Sequence, residues 1–475
     1  MGMIGAHNDI PANVSFSSYE DALDFLFKLR TFGTKLGIAN IRHLLDVLDR
    51  PDSVCRYIHI AGTNGKGSTA AFICSILQKA GLKTGLFTSP HLVDATERIQ
   101  INATQISRDD FLRLIARVHD AACACASHPD FRYPTFFEFI TAVASVYFAE
   151  QQCDVVVWET GMGGRLDATN AVTPVASVIT SIALDHIQYL GNTLELIARE
   201  KCGIIKNTVP VFTMVTDPAI LSIIYEYSLT HTAPLTLITD NPGSVVQSGL
   251  TIIPYSFTKN EQHSFFISIE PLNVHNVHIG LIGEHQTHNA ALASIVSYWY
   301  LDTYNNIDSP KYIAEGLNSV VWPGRCQMLW QQPLLVADCA HNPDGMRKLV
   351  ATLPDIAEGK WTFIIGGLSD KKIDDMVRII APLCKQIWYA KPGSYRALPP
   401  EEFLSIAEVE VPQVPCKLFE SASEVLRYLT YLRKNGDSSN KYIVTGSCYL
   451  VGDMLSALHG STRDLRADDP LHIQP

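Results

Sequence analysis

The sequence predicts an α/β protein of two domains: a P-loop mononucleotide-binding domain with a mainly parallel sheet, then a smaller Rossmann-like α/β C-terminal domain. Three observations predict it. Short, continuously apolar runs alternate with helical segments. A glycine-rich turn, HIAGTNGKGST at 59–69, joins one such run to a helix. The alternation breaks at 318–325, NSVVWPGR, and then begins again. Runs that are apolar on both faces belong to parallel strands covered on both sides, and parallel strands need crossover connections, usually helices.

Taken in order, 57–61 reads as a strand and 66–80 as a helix, with Ala70, Ile73 and Leu77 on one face and Gly81 as its stop. Strands follow at 84–88, 154–159 and 175–180, and helices at 111–124 and 136–150. From 235 to 282 the segments shorten between Pro, Gly, Asn and Ser, which predicts β-rich elaboration built from hairpins. Helices are expected at 285–300 and 310–317. After the linker, strands at 334–337, 362–365, 386–389 and 442–445 alternate with helices at 343–353, 372–381 and 421–434. The expected domains are therefore 1–320 and 321–460, with 461–475 as a polar tail.

A chain of 475 residues exceeds one ordinary core. Hydrophobic residues make up 47% and charged residues 18%, which suits a globular enzyme rather than a disordered or membrane protein. The net charge of −11 argues against a nucleic-acid binder but leaves room for a local basic pocket. No apolar run spans a membrane, and MGMIGAHNDIPANVS has neither the basic start nor the apolar segment of an export signal. The eleven cysteines include no CxxC pair and mostly sit in apolar segments, as reduced packing residues of a cytoplasmic protein would.

Four clusters carry candidate chemistry. In the first, Gly62, Gly65 and Gly67 let the backbone of Thr63, Asn64 and Ser68 approach phosphate oxygens. Lys66 supplies the point charge and the following helix its dipole. The spacing departs from the usual G-x-x-x-x-G-K-[ST], since Gly67 follows the lysine. In the second, WETGMGGRLDATN (158–170), Glu159 closes an apolar strand; it is either a solvated strand end or a magnesium ligand beside nucleotide phosphates. In the third, SIALDH (181–186), His186 lies past a buried strand, where ligands collect in such sheets, or is a bonded core histidine. In the fourth, DCAHNPDG (338–345), Asp338 can grip ribose hydroxyls while Asn342 and Pro343 start a helix.

These stretches resemble the folylpolyglutamate synthase/dihydrofolate synthase family of the Mur ligase superfamily. GTNGKGS is similar to that family's variant phosphate loop, which answers for the late hydroxyl. Further matching stretches are TSPHLVDATERIQIN (88–102), ETGMGGRLDATN (159–170), SIALDHIQYLG (181–191), REKCGIIK (199–206), GEHQTHNAALA (283–293), WPGR (322–325), DCAHNPDG (338–345) and GGLSDKK (366–372). They span most of the chain in the family's order.

The resemblance implies an ATP-dependent ligase that adds L-glutamate to dihydropteroate or to a reduced folate through an acyl phosphate. It implies Lys66 and the loop amides on the ATP phosphates, with Asn289 near adenine, Asp338 on the ribose, and Arg325 and His341 at the triphosphate. It implies two magnesium sites, with Ser89, Glu159 and His186 as ligands and Lys201 as a carbamate. Leu36, Phe137, Asp167 and Ala168 match positions that hold a pterin, and Ser447 with the GGLSDKK loop is expected near glutamate. A monomer with only small-molecule partners is expected. Departures from the family pattern fall at Thr160, Met162, Cys339, and Cys448-Tyr449. Two rivals remain. A cell-wall amino-acid ligase would carry a whole domain before Gly62, where this sequence has about 61 residues. A nucleotide switch would need no second substrate pocket.

Overall fold

The computed structural model describes residues 14, 16–29, 37–245 and 247–460. The expected site residue Leu36 and the tail 461–475 lie outside them. The first domain has strands β1 (Arg56–Ala61), β2 (Thr84–Phe87), β3 (Ile99–Ile101), β4 (Thr104–Gln105), β5 (Val155–Glu159), β6 (Ala176–Ile179), β7 (Val211–Thr213), β8 (Leu235–Thr239), β9 (Thr251–Pro254), β10 (Ser256–Lys259), β11 (Phe265–Ile269) and β12 (Val274–His278). Among the described residues, nine form one sheet in the order β4-β3-β2-β5-β1-β6-β7-β8-β9. Pairing is parallel from β2 to β9, and β3 and β4 add an antiparallel edge.

Period-two alternation decides what each face touches. Tyr57, Phe87, Val156 and Trp158 point into one core with helix Phe136–Glu150. Ile58, Ile60, Leu86 and Val157 point into the other, against helices Lys66–Lys79 and Glu284–Asn305. Helix Phe136–Glu150 starts on a capping box between Thr135 and Glu138, whose carboxylate also takes the Arg132 guanidinium at 2.7 Å. Gly81 ends the helix before it with φ +89°, as expected.

The segment 235–282 differs from the hairpins expected. β8 and β9 extend the parallel sheet, and only β10, β11 and β12 form an antiparallel set. The burial of β8 on both faces by the flanking cores favours the parallel arrangement.

The second domain contributes β13 (Gln327–Gln331), β14 (Leu334–Ala337), β15 (Trp361–Ile365), β16 (Cys384–Ala390), β17 (Cys416–Phe419) and β18 (Lys441–Thr445). They run in the order β13-β14-β18-β15-β16-β17, parallel except for β13 against β14. The chain crosses between domains after helix Pro310–Ser319 and before β13. No helix among the described residues is long and apolar enough to cross a membrane, and all eleven cysteines are free thiols.

Candidate active site

The carboxyl ends of β1, β5 and β6 and those of β14 and β18 face one another across a cleft of about 1080 Å³, its mouth included. The phosphate loop, Gly62 through Ser68, forms one wall. Its shape needs glycine at two points. A Cβ on Gly62 would lie 1.8 Å from Thr180 Oγ1, and Gly65 takes φ +85° with a Cβ position 2.5 Å from Asn289 Oδ1. Thr63 N–H donates to the Ser181 carbonyl (2.8 Å) and Asn64 N–H to Ser181 Oγ (2.9 Å). The loop is thus tied to β6 before any ligand arrives.

Charge collects at the loop's centre. Lys66 Nζ donates to the Gly62 carbonyl (3.1 Å) and stands 4.0 Å from Glu159 Oε1. Lys201 Nζ, on helix Leu194–Cys202, donates to the same Gly62 carbonyl at 2.9 Å. Lys201 is 3% exposed, and burial, helped by the nearby Lys66 charge, lowers its ammonium to about 7. Glu159 is equally enclosed; burial pushes its carboxyl up to about 7, with Lys66 pulling the other way. Ser89 N–H donates to Glu159 Oε2 at 3.2 Å. His186 lines the same cleft, and burial, with Lys371 nearby, keeps its imidazole neutral.

The opposite wall comes from the second domain and its linker: Arg325, Asp338, Cys339, Ala340, His341 and Cys448. Asp338 closes the end of β14 and accepts from Cys326 N–H and Ala340 N–H, each at 2.9 Å. His341 Nδ1 donates to the Cys339 carbonyl (2.9 Å), and Nε2 lies 3.6 Å from Asp185 Oδ2. Burial opposes charge on that imidazole, yet Asp185 and Cys448 push it up to about 9. Asn289 is buried against the phosphate loop beside Gly65, donating to Gln286 Oε1 at 2.9 Å.

Sequence reasoning missed the groups that hold the domains together. Lys371 Nζ meets Asp185 Oδ1 at 2.7 Å, both side chains 8% exposed. Asn64 Nδ2 donates to Asp344 Oδ2 at 2.7 Å, and Asn342 Nδ2 to Asp185 Oδ2 at 2.9 Å. Burial works against the Asp185 charge, but Lys371 and its neighbours hold its carboxyl well below the usual range. Asp185 was visible only as the neighbour of His186.

Three residues expected at the folate, and Ser447, lie behind the walls of this cleft. Asp167 is buried, with its oxygens taken by Met162 N–H (2.8 Å) and by Thr169 N–H (3.0 Å). Those bonds fold the Gly161–Gly163 loop around the position expected to meet a pterin. Phe137 is buried beneath Gly161 and packs on Phe87 with centroids 6.0 Å apart. Ala168 is buried beside it, and none of the three lines the cleft. Ser447 caps helix Cys448–His459, accepting from Tyr449 N–H at 3.1 Å, and is likewise not a wall of the cleft.

A phosphate loop, a strand-end carboxylate and a buried lysine, faced by a second α/β domain that supplies arginine and histidine, define a nucleotide-dependent ligase. Models of the Mur ligase middle domain and of the Mur ligase glutamate ligase domain match residues 60–297 and 324–448. The dihydrofolate synthase/folylpolyglutamate synthase of Bacillus subtilis is 34% identical over 445 residues, covering 93% of this chain and 100% of that protein. The folylpolyglutamate synthase of Lacticaseibacillus casei is 34% identical over 420 residues, 88% of this chain and 93% of that one. The structure of Mycobacterium tuberculosis folylpolyglutamate synthase complexed with ADP and AMPPCP matches with a TM-score of 0.81 at 26% identity, covering 94% and 100% of the two chains. That of E. coli FolC in complex with DHPP and ADP matches with a TM-score of 0.78 at 26% identity, covering 94% and 98%. The chain belongs to the Mur ligase family, in its dihydrofolate synthase/folylpolyglutamate synthase branch.

Proposed function

We propose that this protein is an ATP-dependent ligase joining the amino group of L-glutamate to a folate carboxylate. It acts on 7,8-dihydropteroate, making dihydrofolate, and on reduced folates, extending their polyglutamate tails. The observation that carries this reading is the cleft, where groups suited to phosphate, ribose and metal converge from two domains of one chain. A monomer therefore suffices.

A carboxylate is a poor electrophile. Phosphoryl transfer from ATP turns it into an acyl phosphate, the glutamate amine attacks the carbonyl carbon, and phosphate leaves. The first step asks for positioning and charge neutralisation. Lys66 and the amides of Gly62 to Ser68 hold the outer phosphates. Arg325 and His341 face them from the second domain, Asp338 takes the ribose and Asn289 the adenine side. Docking of 321–460 on 1–320 through Lys371 and Asp185 keeps water from the acyl phosphate. Phe137, Asp167 and Ala168 support the Gly161–Gly163 loop from below. Ser447 fixes the helix start near Cys448.

Among the described residues no three His, Cys, Asp or Glu side chains converge as a metal cage. Magnesium takes few protein oxygens and completes its shell with phosphates and water. Ser89, Glu159 and His186 would hold one ion, and Lys201, if carbamylated, a second. Bound there, magnesium would neutralise charge on the phosphates. Lys201 is suited to the modification because an amine lowered to about 7 is about half free base, the form that adds CO2, at neutral pH.

A pH dependence follows. Glu159 at about 7 binds the metal as carboxylate, so protons compete with it below neutrality. The magnesium concentration for half-maximal rate should rise about tenfold from pH 8 to pH 6. A half-saturation constant unchanged over that range would remove Glu159 from the metal site. The acyl phosphate is tested by labelling the acceptor carboxylate with 18O. Labelled oxygen should appear in the released phosphate, and unlabelled phosphate would overturn this route.

A further inference from the structure

We propose that Cys339 and Cys448 form a reversible disulfide in the wall of the nucleotide cleft, a peroxide-sensitive brake on the enzyme. The two residues leave adjacent parallel strands. Ala337 of β14 pairs with Val444 of β18, and beyond the ladder Gly446 N–H donates to the Ala340 carbonyl at 2.9 Å. This keeps the two strand ends together where the cysteines begin. Cys448 Sγ lies 3.8 Å from the Cys339 carbonyl oxygen and 3.9 Å from His341 Nδ1. The two thiols are near enough to shift each other's ionisation in opposite directions. Both residues line the cleft that holds the phosphate loop, and both line the adjoining cavity bounded by Trp322. Reagents that enter the cleft therefore reach them.

The pair is chemically unequal. Cys339, with His341 and Arg325, holds the Cys448 thiol well below its ordinary value against burial, whereas Cys339 is pushed up by Cys448 and by burial. Cys448, at the start of its helix and 3.9 Å from His341 Nδ1, is thus the attacking thiolate, and buried Cys339 the resolving thiol. With hydrogen peroxide as oxidant, the Cys448 sulfur attacks one peroxide oxygen. The O–O bond breaks, hydroxide leaves and a sulfenic acid forms. Cys339 sulfur then attacks Cys448 sulfur, the S–O bond breaks, and the hydroxyl leaves with the Cys339 proton as water. The two sulfurs lose two electrons and the peroxide gains them. A dithiol reverses the change by exchange.

The linkage matters because of what its ends carry. Cys448 begins helix Cys448–His459, and Cys339 lies between Asp338 and His341. Cys339 N–H also donates to the Gly324 carbonyl at 2.9 Å, next to Arg325. A covalent S–S bond of about 2.0 Å draws these segments together and takes the Cys448 thiol from His341. Misplacement on the ångström scale in such a site costs up to about 100-fold in rate.

The test treats the full-length protein with hydrogen peroxide, blocks remaining thiols with N-ethylmaleimide, and maps peptides by mass. A Cys339–Cys448 linked peptide should accumulate, more slowly in saturating ATP, as ligase rate falls at least about tenfold. Dithiothreitol should restore the rate. Cys339→Ala, and separately Cys448→Ser, should abolish the reversible part of the loss. Inactivation without that linkage, linkage without loss of rate, or equal reversible loss in both variants would overturn the proposal. As a brake it rests on the ligase reading. The linkage and its slowing by ATP are read by mass, so an inactive reduced protein would count against that reading alone.

Discussion

Lys66→Ala lowers kcat/KM about 100- to 1,000-fold, the scale for losing one preorganised charge-stabilising group. In the described structure Lys66 rests on the Gly62 and Thr63 carbonyls at 3.1 and 3.3 Å, a parked position from which its ammonium can turn to phosphate. Its removal also takes away the charge that restrains Glu159 and that disfavours the ammonium form of Lys201. Both groups then shift toward their protonated forms, which is the wrong direction for holding metal. The fold should survive, because helix Lys66–Lys79 is held by Phe72, Ile73, Ile76 and Leu77 in the core. Steady-state kinetics beside a thermal melt separates the two effects. A loss below tenfold with an unchanged melt would mean that the loop works without its lysine.

Lys201→Arg is the second large effect, about 100-fold in kcat, even though the positive charge is kept. An arginine cannot add CO2, and its larger cation would sit beside Lys66 near the Gly62 carbonyl. In the unmodified chain Lys201 Nζ donates to that carbonyl at 2.9 Å, an arrangement a simple structural cation would need. The two roles part here. If Lys201 serves as a carbamate, Arg fails, and bicarbonate labelled with 13C gives a carbamate resonance in the wild-type protein that is missing in the variant. If Arg supports near-normal turnover, the carbamate assignment is wrong and the lysine is a structural donor.

The phosphate loop was legible because its parts are local. Strand, glycines, lysine and helix lie within 56–79, and each has a short-range physical reason. Glu159 was legible for the same reason, as an acid closing an apolar run. What escaped the sequence was mostly pairwise and distant. Asp185 and Lys371 are 186 positions apart, and Asn64 and Asp344 are 280, so no spacing announces either contact. Asp167 was placed near a pterin by resemblance alone, and nothing local in the sequence announces its bonds to Met162 and Thr169, which build the glycine-rich loop. Helix Pro218–Thr230 was missed although Asp217 and Pro218 are a sound start signal. Its run of isoleucines obscures the helical period. Helix Pro400–Glu410 and β17 were missed at the sheet's edge, where a weak apolar pattern is all that packing requires. The parallel placement of β8 and β9 depends on cores that form only when distant elements meet.

The most direct test of the central claim supplies MgATP and L-glutamate to the purified protein, with 7,8-dihydropteroate, with tetrahydrofolate, or with neither. ADP release and product mass are followed together. The account predicts ADP release coupled to one added glutamate on each acceptor, and little release without one. Addition to tetrahydrofolate alone would restrict the protein to tail extension. ATP binding or hydrolysis with no glutamylated product from either acceptor would contradict the ligase reading outright.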